Sequence, residues 1–309
     1  MHPAYSVILF TTASGAGYGL LALLGLVGFN HGQASSVAFA IASVAVALAL
    51  ITLGLLSSTF HLGHPERAWR ALSQWRSSWL SREGIAAIAT YVPAVPFAAV
   101  WSGLVAAPGW IGPLGLVTAA CCAVTVFTTG MIYASLRTIR AWHQPLTVPV
   151  YLIFALATGA TLITALATLF GRFQPFQVIL GVAALGIAAV LKFLYWRAID
   201  SMGPGYSMGE ATGLGRIGKV SQWEVPHTSE NYVQREMGYA VARKHATKLR
   251  RMVYLLLLLA ILLMLLALAL PIVSLLAAAA ALAAAVVERW LFFAEARHVV
   301  TLFYGQEQA

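Results

Sequence analysis

Eight runs of apolar residues dominate the chain, at about 4 to 28, 34 to 60, 84 to 106, 111 to 136, 146 to 170, 176 to 198, 252 to 270 and 272 to 303. Each can cross hydrocarbon as a helix, which takes about 20 residues for a core about 30 Å thick. None alternates with the period of two that marks a strand, so helices are the spanning element, each satisfying its backbone groups internally. The last two runs meet without a polar gap. Together they make about 50 residues, too long for one span, and Pro271 supplies the turn between them.

The polar positions sort by side. Eight spans put both termini on one face with the loops after the second, fourth and sixth spans. Of the 19 Lys and Arg, 18 fall on that face and only Arg172 on the other, and all 10 acidic residues lie on the first face too. The positive-inside rule makes this face cytoplasmic. The prediction is an all-α integral membrane protein, an eight-transmembrane-helix bundle with both termini cytoplasmic, forming a single membrane domain over 1–309. The loop 200–251 is the one extramembrane segment long enough to dock a partner. Its GLGRIG places Gly213, Gly215 and Gly218 in dinucleotide-fingerprint spacing. The strand that such a fingerprint follows is missing, so this stretch reads as a turn.

Composition agrees: 60% of residues are hydrophobic and 9% charged, with a mean hydropathy of +0.82, far from the roughly 25% charge of soluble domains. The N-terminal MHPAYSVILF lacks a basic leader region, so the first span is expected to be retained. Cys121 and Cys122 are adjacent within an apolar run, a spacing that suits packing better than a metal or a disulfide. The net charge of +9 lies mostly in loops and addresses topology and anionic lipid, not nucleic acid.

One polar run interrupts the first half: HLGHPERAWRALSQWRSSWLSREG, residues 61–84. Ser57, His61 and His64 are spaced to share one face at the end of the second span. Pro65 to Ser73 reads as a short interfacial helix, with Ser81 as the N-cap of the third span. Arg67, Trp69, Arg70, Trp75, Arg76 and Trp79 suit membrane anchoring and docking. His61 and Glu83 reach the same depth, where a carboxyl at the edge of hydrocarbon is a proton donor or acceptor candidate. Tyr133 and Arg137 end the fourth span one turn apart, followed by Arg140, Trp142 and His143. The run ERWLFFAEARHVV, with Glu288, Arg289, Glu295, Arg297 and His298, must face protein or leave the membrane. The opposite end holds His31, Gln33, Arg172 and Gln174 and little else.

No charge is expected at the centre of a span, where a transporter would place its site; transport is kept as the alternative outside electron transfer. A one-sided site fits a quinone, which needs an apolar slot, donors at its two carbonyls and a titratable group leading to water. The residues expected at quinone are His61, His64, Ser57, Tyr133 and Arg137, with His61 and Glu83 carrying the chemistry. A haem b is the other reading, since it takes axial histidines from two helices at matching depth; His143 and His298 are then the ligands, with His61 and His64 near the same side. No iron–sulfur or nucleotide motif is present, so electrons must come from elsewhere.

HLGHPERAW followed by SWLSREG resembles the HLG-x-P-x-R-A and S-x-L-S-x-E segments of the DMSO reductase anchor subunits, the quinone-reactive membrane subunits of molybdopterin oxidoreductase complexes. The resemblance runs over most of the chain, through MIYASLRTIRAWHQP and ERWLFFAEARHVVTLFYG. These two, with PHT-x-x-NY-x-x-x-EMG and ARKHA-x-KLR, are similar to the anchors of cytoplasmic sulfite dehydrogenase complexes. The resemblance implies eight helices in a bacterial inner membrane and no molybdenum in this chain. It implies docking of a four-cluster, ferredoxin-like iron–sulfur subunit that relays electrons between a molybdopterin catalytic subunit and ubiquinone or menaquinone, with sulfite oxidised to sulfate. The family's quinol-site histidine falls on His61 and its acidic residue on Glu83. His64 stands where the reductase anchors commonly carry Ser.

Overall fold

The computed structural model describes residues 4–60, 62–203, 205–224, 241–304 and 306. Among them are eight helices long and apolar enough to span: α1 Tyr5–His31, α2 Val37–Ser57, α3 Trp79–Trp101, α4 Pro108–Ala134, α5 Thr147–Leu169, α6 Pro175–Asp200, α7 His245–Leu266 and α8 Pro271–Ala294. The predicted helical class and count hold, including the hairpin at Pro271.

Alternate loops gather at opposite ends of the bundle. At one end, the Ser57 hydroxyl donates to the Ser6 carbonyl at 3.0 Å, and the Val299 amide to the Thr138 carbonyl at 3.2 Å. Gln222 donates there to the Phe303 carbonyl at 2.9 Å. At the other end the Ala34 amide meets the Trp101 carbonyl at 3.0 Å, and Arg172 meets the Ser35 carbonyl at 2.9 Å. The charge-rich segments therefore share an end, as their distribution predicted.

Three boundaries differ from expectation. First, α2 stops at Ser57, short of the expected end near 60, and the short helix expected at Pro65 to Ser73 forms as a 3₁₀ segment, Pro65–Gln74, with Pro65 in its first turn. His64 therefore lies beyond α2, not on its face with Ser57; His61 is outside the described residues. Second, α3 begins at Trp79 because Ser78 caps it, accepting the Ser81 amide at 3.4 Å. Ser81, the expected cap, sits inside the first turn, where its hydroxyl donates to the Leu72 carbonyl at 2.9 Å. Third, α8 ends at Ala294, and the chain resumes helix only at Val300–Phe303. Between them Glu295 stays against the bundle, bonded to Trp196 and Arg250, while Arg297 is exposed.

The bundle is built around α1. In an 18-residue apolar stretch of α1, 72% of the residues are buried, against 22% for the Leu-rich α7, which faces outward. Small residues let the neighbours close on it. A methyl group at Gly19 would collide with the Ala155 carbonyl of α5, and one at Gly25 with the Gly115 carbonyl of α4. Membrane helices pack by such backbone approach, because lipid gives no hydrophobic drive for association. Near its start, α1 opens into a π-turn at Phe10–Ser14. The Thr11, Thr12 and Ser14 hydroxyls donate there to carbonyls three or four residues back.

In the loop after α6, Ser207 and Glu210 form a capping box for Met208–Thr212, which Gly213 closes at φ +72°. The GLGRIG stretch is thus a helix-terminating turn, as read. Hydrogen bonds from the Ser207 amide and hydroxyl hold the Glu210 carboxyl below its usual range.

Candidate functional site

At the end that carries the polar loops, α1, α3 and α4 part around a cleft of about 810 Å³, within the usual range of roughly 300–1,000 Å³ for small-molecule sites. Its walls are mainly apolar, with Phe10, Leu55, Leu72 and Leu80 prominent. Its polar groups include Glu83, Tyr133, His64 and Arg67. The Pro65–Gln74 segment forms one wall, and α3 clamps it there. Ser81 holds Leu72, and the Arg82 guanidinium donates to the Trp75 and Arg76 carbonyls at 2.8 and 2.7 Å. Gly84 leaves room for Leu72: a Cβ there would lie 2.9 Å from Leu72 Cδ2.

Glu83, in the second turn of α3, is only 4% exposed, and its Oε1 has no hydrogen-bond partner among the described residues. Buried polar atoms are almost always partnered. An orphaned carboxyl oxygen beside an apolar cleft suits a ligand that brings its own polar atom. Across the cleft, Tyr133 is fixed by rings. Its centroid lies 5.1 Å from Trp142, 5.6 Å from Tyr151 and 5.4 Å from both Phe292 and Phe293. Trp142 is itself tied to α8 by a 2.8 Å bond from Nε1 to the Phe292 carbonyl.

The structure thus brings Glu83, Tyr133 and His64 to one cleft. His64 is exposed, with Nδ1 3.0 Å from Glu66 Oε1. Ser57 is buried in α2, its hydroxyl donating to the Gly54 and Ser6 carbonyls, and Ser58 lines the cleft instead. Arg137 is exposed in the turn after α4 and is not on the wall. The alternative pair, His143 and His298, lies off the cleft as well. His143 Nδ1 is 2.7 Å from the Ala134 carbonyl, and His298 Nδ1 accepts the Val300 amide at 3.0 Å. Burial holds the His298 imidazole below its usual pKa, in keeping with that acceptor role.

Sequence reasoning missed two things here. Arg67 and Trp142 were taken for anchors or left without a role, yet both line the cleft. Charge also runs deeper than expected. Lys192 of α6, counted with the polar face, is fully buried and pairs with the equally buried Glu288 of α8 at 2.5 Å. Glu288 in turn meets Arg289 Nε at 2.7 Å. Lys192 lies eight residues inside the end of α6, about 12 Å at 1.5 Å per residue. The signal was present in ERWLFFAEARHVV, but its partner on α6 is distant in sequence.

The chain matches the family profile described as DMSO reductase anchor subunit (DmsC) over residues 1–306. It is also 34% identical to the C subunit of the sulfite dehydrogenase of Allochromatium vinosum, over 98% of this chain and 99% of that protein. No solved structure matches. The chain belongs to the DMSO reductase anchor subunit family: it is a multi-pass membrane anchor of an oxidoreductase complex, and the family implies catalytic and iron–sulfur subunits as its partners.

Proposed function

We propose that this membrane anchor holds the complex's quinone site in the cleft between α1, α3 and α4. It would pass electrons between a four-cluster iron–sulfur subunit, itself served by a molybdopterin catalytic subunit, and ubiquinone or menaquinone of a bacterial inner membrane. The curated relative supports sulfite as the electron source: sulfite and water give sulfate, two protons and two electrons, and quinone takes up two electrons and two protons to become quinol.

Glu83 is the observation that carries this reading. A buried carboxyl with an unpartnered oxygen beside an apolar cleft is equipped to exchange a proton with a carbonyl oxygen of the ring. Tyr133 offers a hydroxyl and His64 an imidazole to the ring oxygens, and Arg67 sits among the wall residues. His61, outside the described residues, enters through the family resemblance. The basic loops at the cleft end supply the docking face together with the segment 200–251, of which 204 and 225–240 lie outside the described residues, and their charge supports a cytoplasmic orientation.

The test is Glu83→Gln in the assembled complex. Quinone-coupled turnover is expected to fall about 100-fold, the scale of a lost general acid or base, while sulfite oxidation with a soluble artificial acceptor is unchanged. Wild-type quinone turnover in that variant would refute the site.

A further inference from the structure

Resting on the quinone reading, we infer that the buried Lys192–Glu288–Arg289 cluster, with a hydrated chamber beneath Arg289, is a proton conduit from the exposed Asp200 and the largely buried Glu295 to the cleft. The groups follow one another from the end of α6 to the cleft, some joined by hydrogen bonds and some by ring contacts. Asp200, 58% exposed, receives Arg250 Nη1 at 2.7 Å, and Arg250 Nε meets Glu295 Oε1 at 2.7 Å. Glu295 Oε2 accepts the Trp196 indole N–H at 3.1 Å, and the Trp196 ring lies 4.8 Å from Lys192 Nζ. Lys192 and Arg289 share Glu288, one on each carboxyl oxygen. The Arg289 guanidinium stacks 3.7 Å over the Tyr151 ring, which stacks in turn on Tyr133, a wall of the cleft.

The chamber lies between α1, α4, α5 and α8, lined by Arg289, Tyr151, Tyr18 and the hydroxyl residues of the α1 π-turn, and holds about 20 Å³. One water needs roughly 10–15 Å³ by this measure and two to four polar partners. The donors and acceptors match. Both Arg289 Nη atoms and the Tyr18 hydroxyl are buried without partners among the described residues. Thr11, Thr12, Ser14, Thr129 and Thr158 all donate to carbonyls of their own helices, which leaves their oxygens free to accept. A water bound here takes N–H bonds from Arg289 and gives O–H bonds to these oxygens.

Packing alone does not explain the cluster. A buried ion pair is commonly no more stable than an apolar replacement, and charges within a membrane bundle mark ion or proton paths. In the conduit Lys192 gives a proton to its partner Glu288 and regains one from Glu295. Glu288 gives the proton to a water that bridges it to the chamber alongside the Arg289 N–H groups, and from that water the Tyr151 and Tyr133 hydroxyls hand it to the cleft, each group gaining one proton as it loses another. Two such transfers, with two electrons from the iron–sulfur side, form the two O–H bonds of a quinol. Arg289 keeps its proton throughout and acts as a positioning residue for the water.

The test uses the whole complex with a water-soluble quinone and two variants, Glu288→Gln and Tyr151→Phe. Glu288→Gln is expected to lower quinone-coupled kcat about tenfold or more with KM for quinone unchanged, and azide, a small weak acid, is expected to restore much of the loss. Tyr151→Phe keeps the ring stack and is expected to slow turnover and enlarge the solvent isotope effect. Normal kcat in an assembled Glu288→Gln complex overturns the conduit, as does a loss that appears in KM and resists azide. If Glu288→Gln fails to assemble, Tyr151→Phe decides, and an unchanged kcat and isotope effect overturn it. Absence of quinone turnover in the wild-type complex would instead defeat the underlying quinone reading.

Discussion

Glu83 and Glu288 are both carboxyls buried in this bundle, and their surroundings separate them. Glu288 is neutralised from two sides, whereas Glu83 has an oxygen with no protein partner among the described residues. Removing the Glu288 carboxylate strands two buried cations, so Glu288→Ala is expected to cost about 3–5 kcal/mol of stability. Replacing the whole cluster, as Lys192→Met, Glu288→Leu and Arg289→Met together, is expected to recover the thermal midpoint of the complex in detergent. Quinone-coupled turnover would stay low. A triple variant as unstable as Glu288→Ala would mean that the cluster is a structural keystone. Glu83 was legible in the sequence because SWLSREG places a carboxyl at the start of a span. Its orphaned oxygen was not, since that depends on what α1, α4 and the Pro65–Gln74 segment bring to the cleft.

At the scale of helices, apolar length and charge alternation were enough to count eight spans, because a bilayer fixes the length and a backbone in lipid must be helical. The ends were less legible. Ser78 and Ser81 are both plausible caps in sequence, and only the docking of Leu72 against Ser81 selects the earlier start of α3. The interior position of α1 was hidden as well, since GAGYGLLALLGLVG is apolar all round and marks no face. The crossings with α4 and α5 show why those glycines are there. Gly19→Leu would force α1 and α5 apart at the Ala155 carbonyl. It is expected to cost upward of about 3 kcal/mol, at or beyond the usual overpacking range because backbone is hit. The measurable outcome is loss of the folded protein in a fluorescence-detected size-exclusion profile. Gly186, where a Cβ would meet nothing within 4 Å, is expected to accept Ala without change.

For the molecule as a whole, polar chemistry is concentrated at one end. The cleft, the ion cluster and the Asp200–Arg250–Glu295 network all lie toward the end that carries the charge-rich loops. One-sidedness was legible from charge sorting alone. The link between cleft and cluster was not, because Arg289 of α8 is far in sequence from Tyr133 of α4 and Tyr151 of α5. Quinone binding in the cleft is the central claim, and photolabelling tests it most directly. Irradiation of the intact complex with an azido-quinone, followed by peptide mapping, is predicted to place label on segments 62–84 and 132–142, with excess unlabelled quinone competing it away. Competable label confined to other segments of this chain, or to a partner protein of the complex, would contradict it.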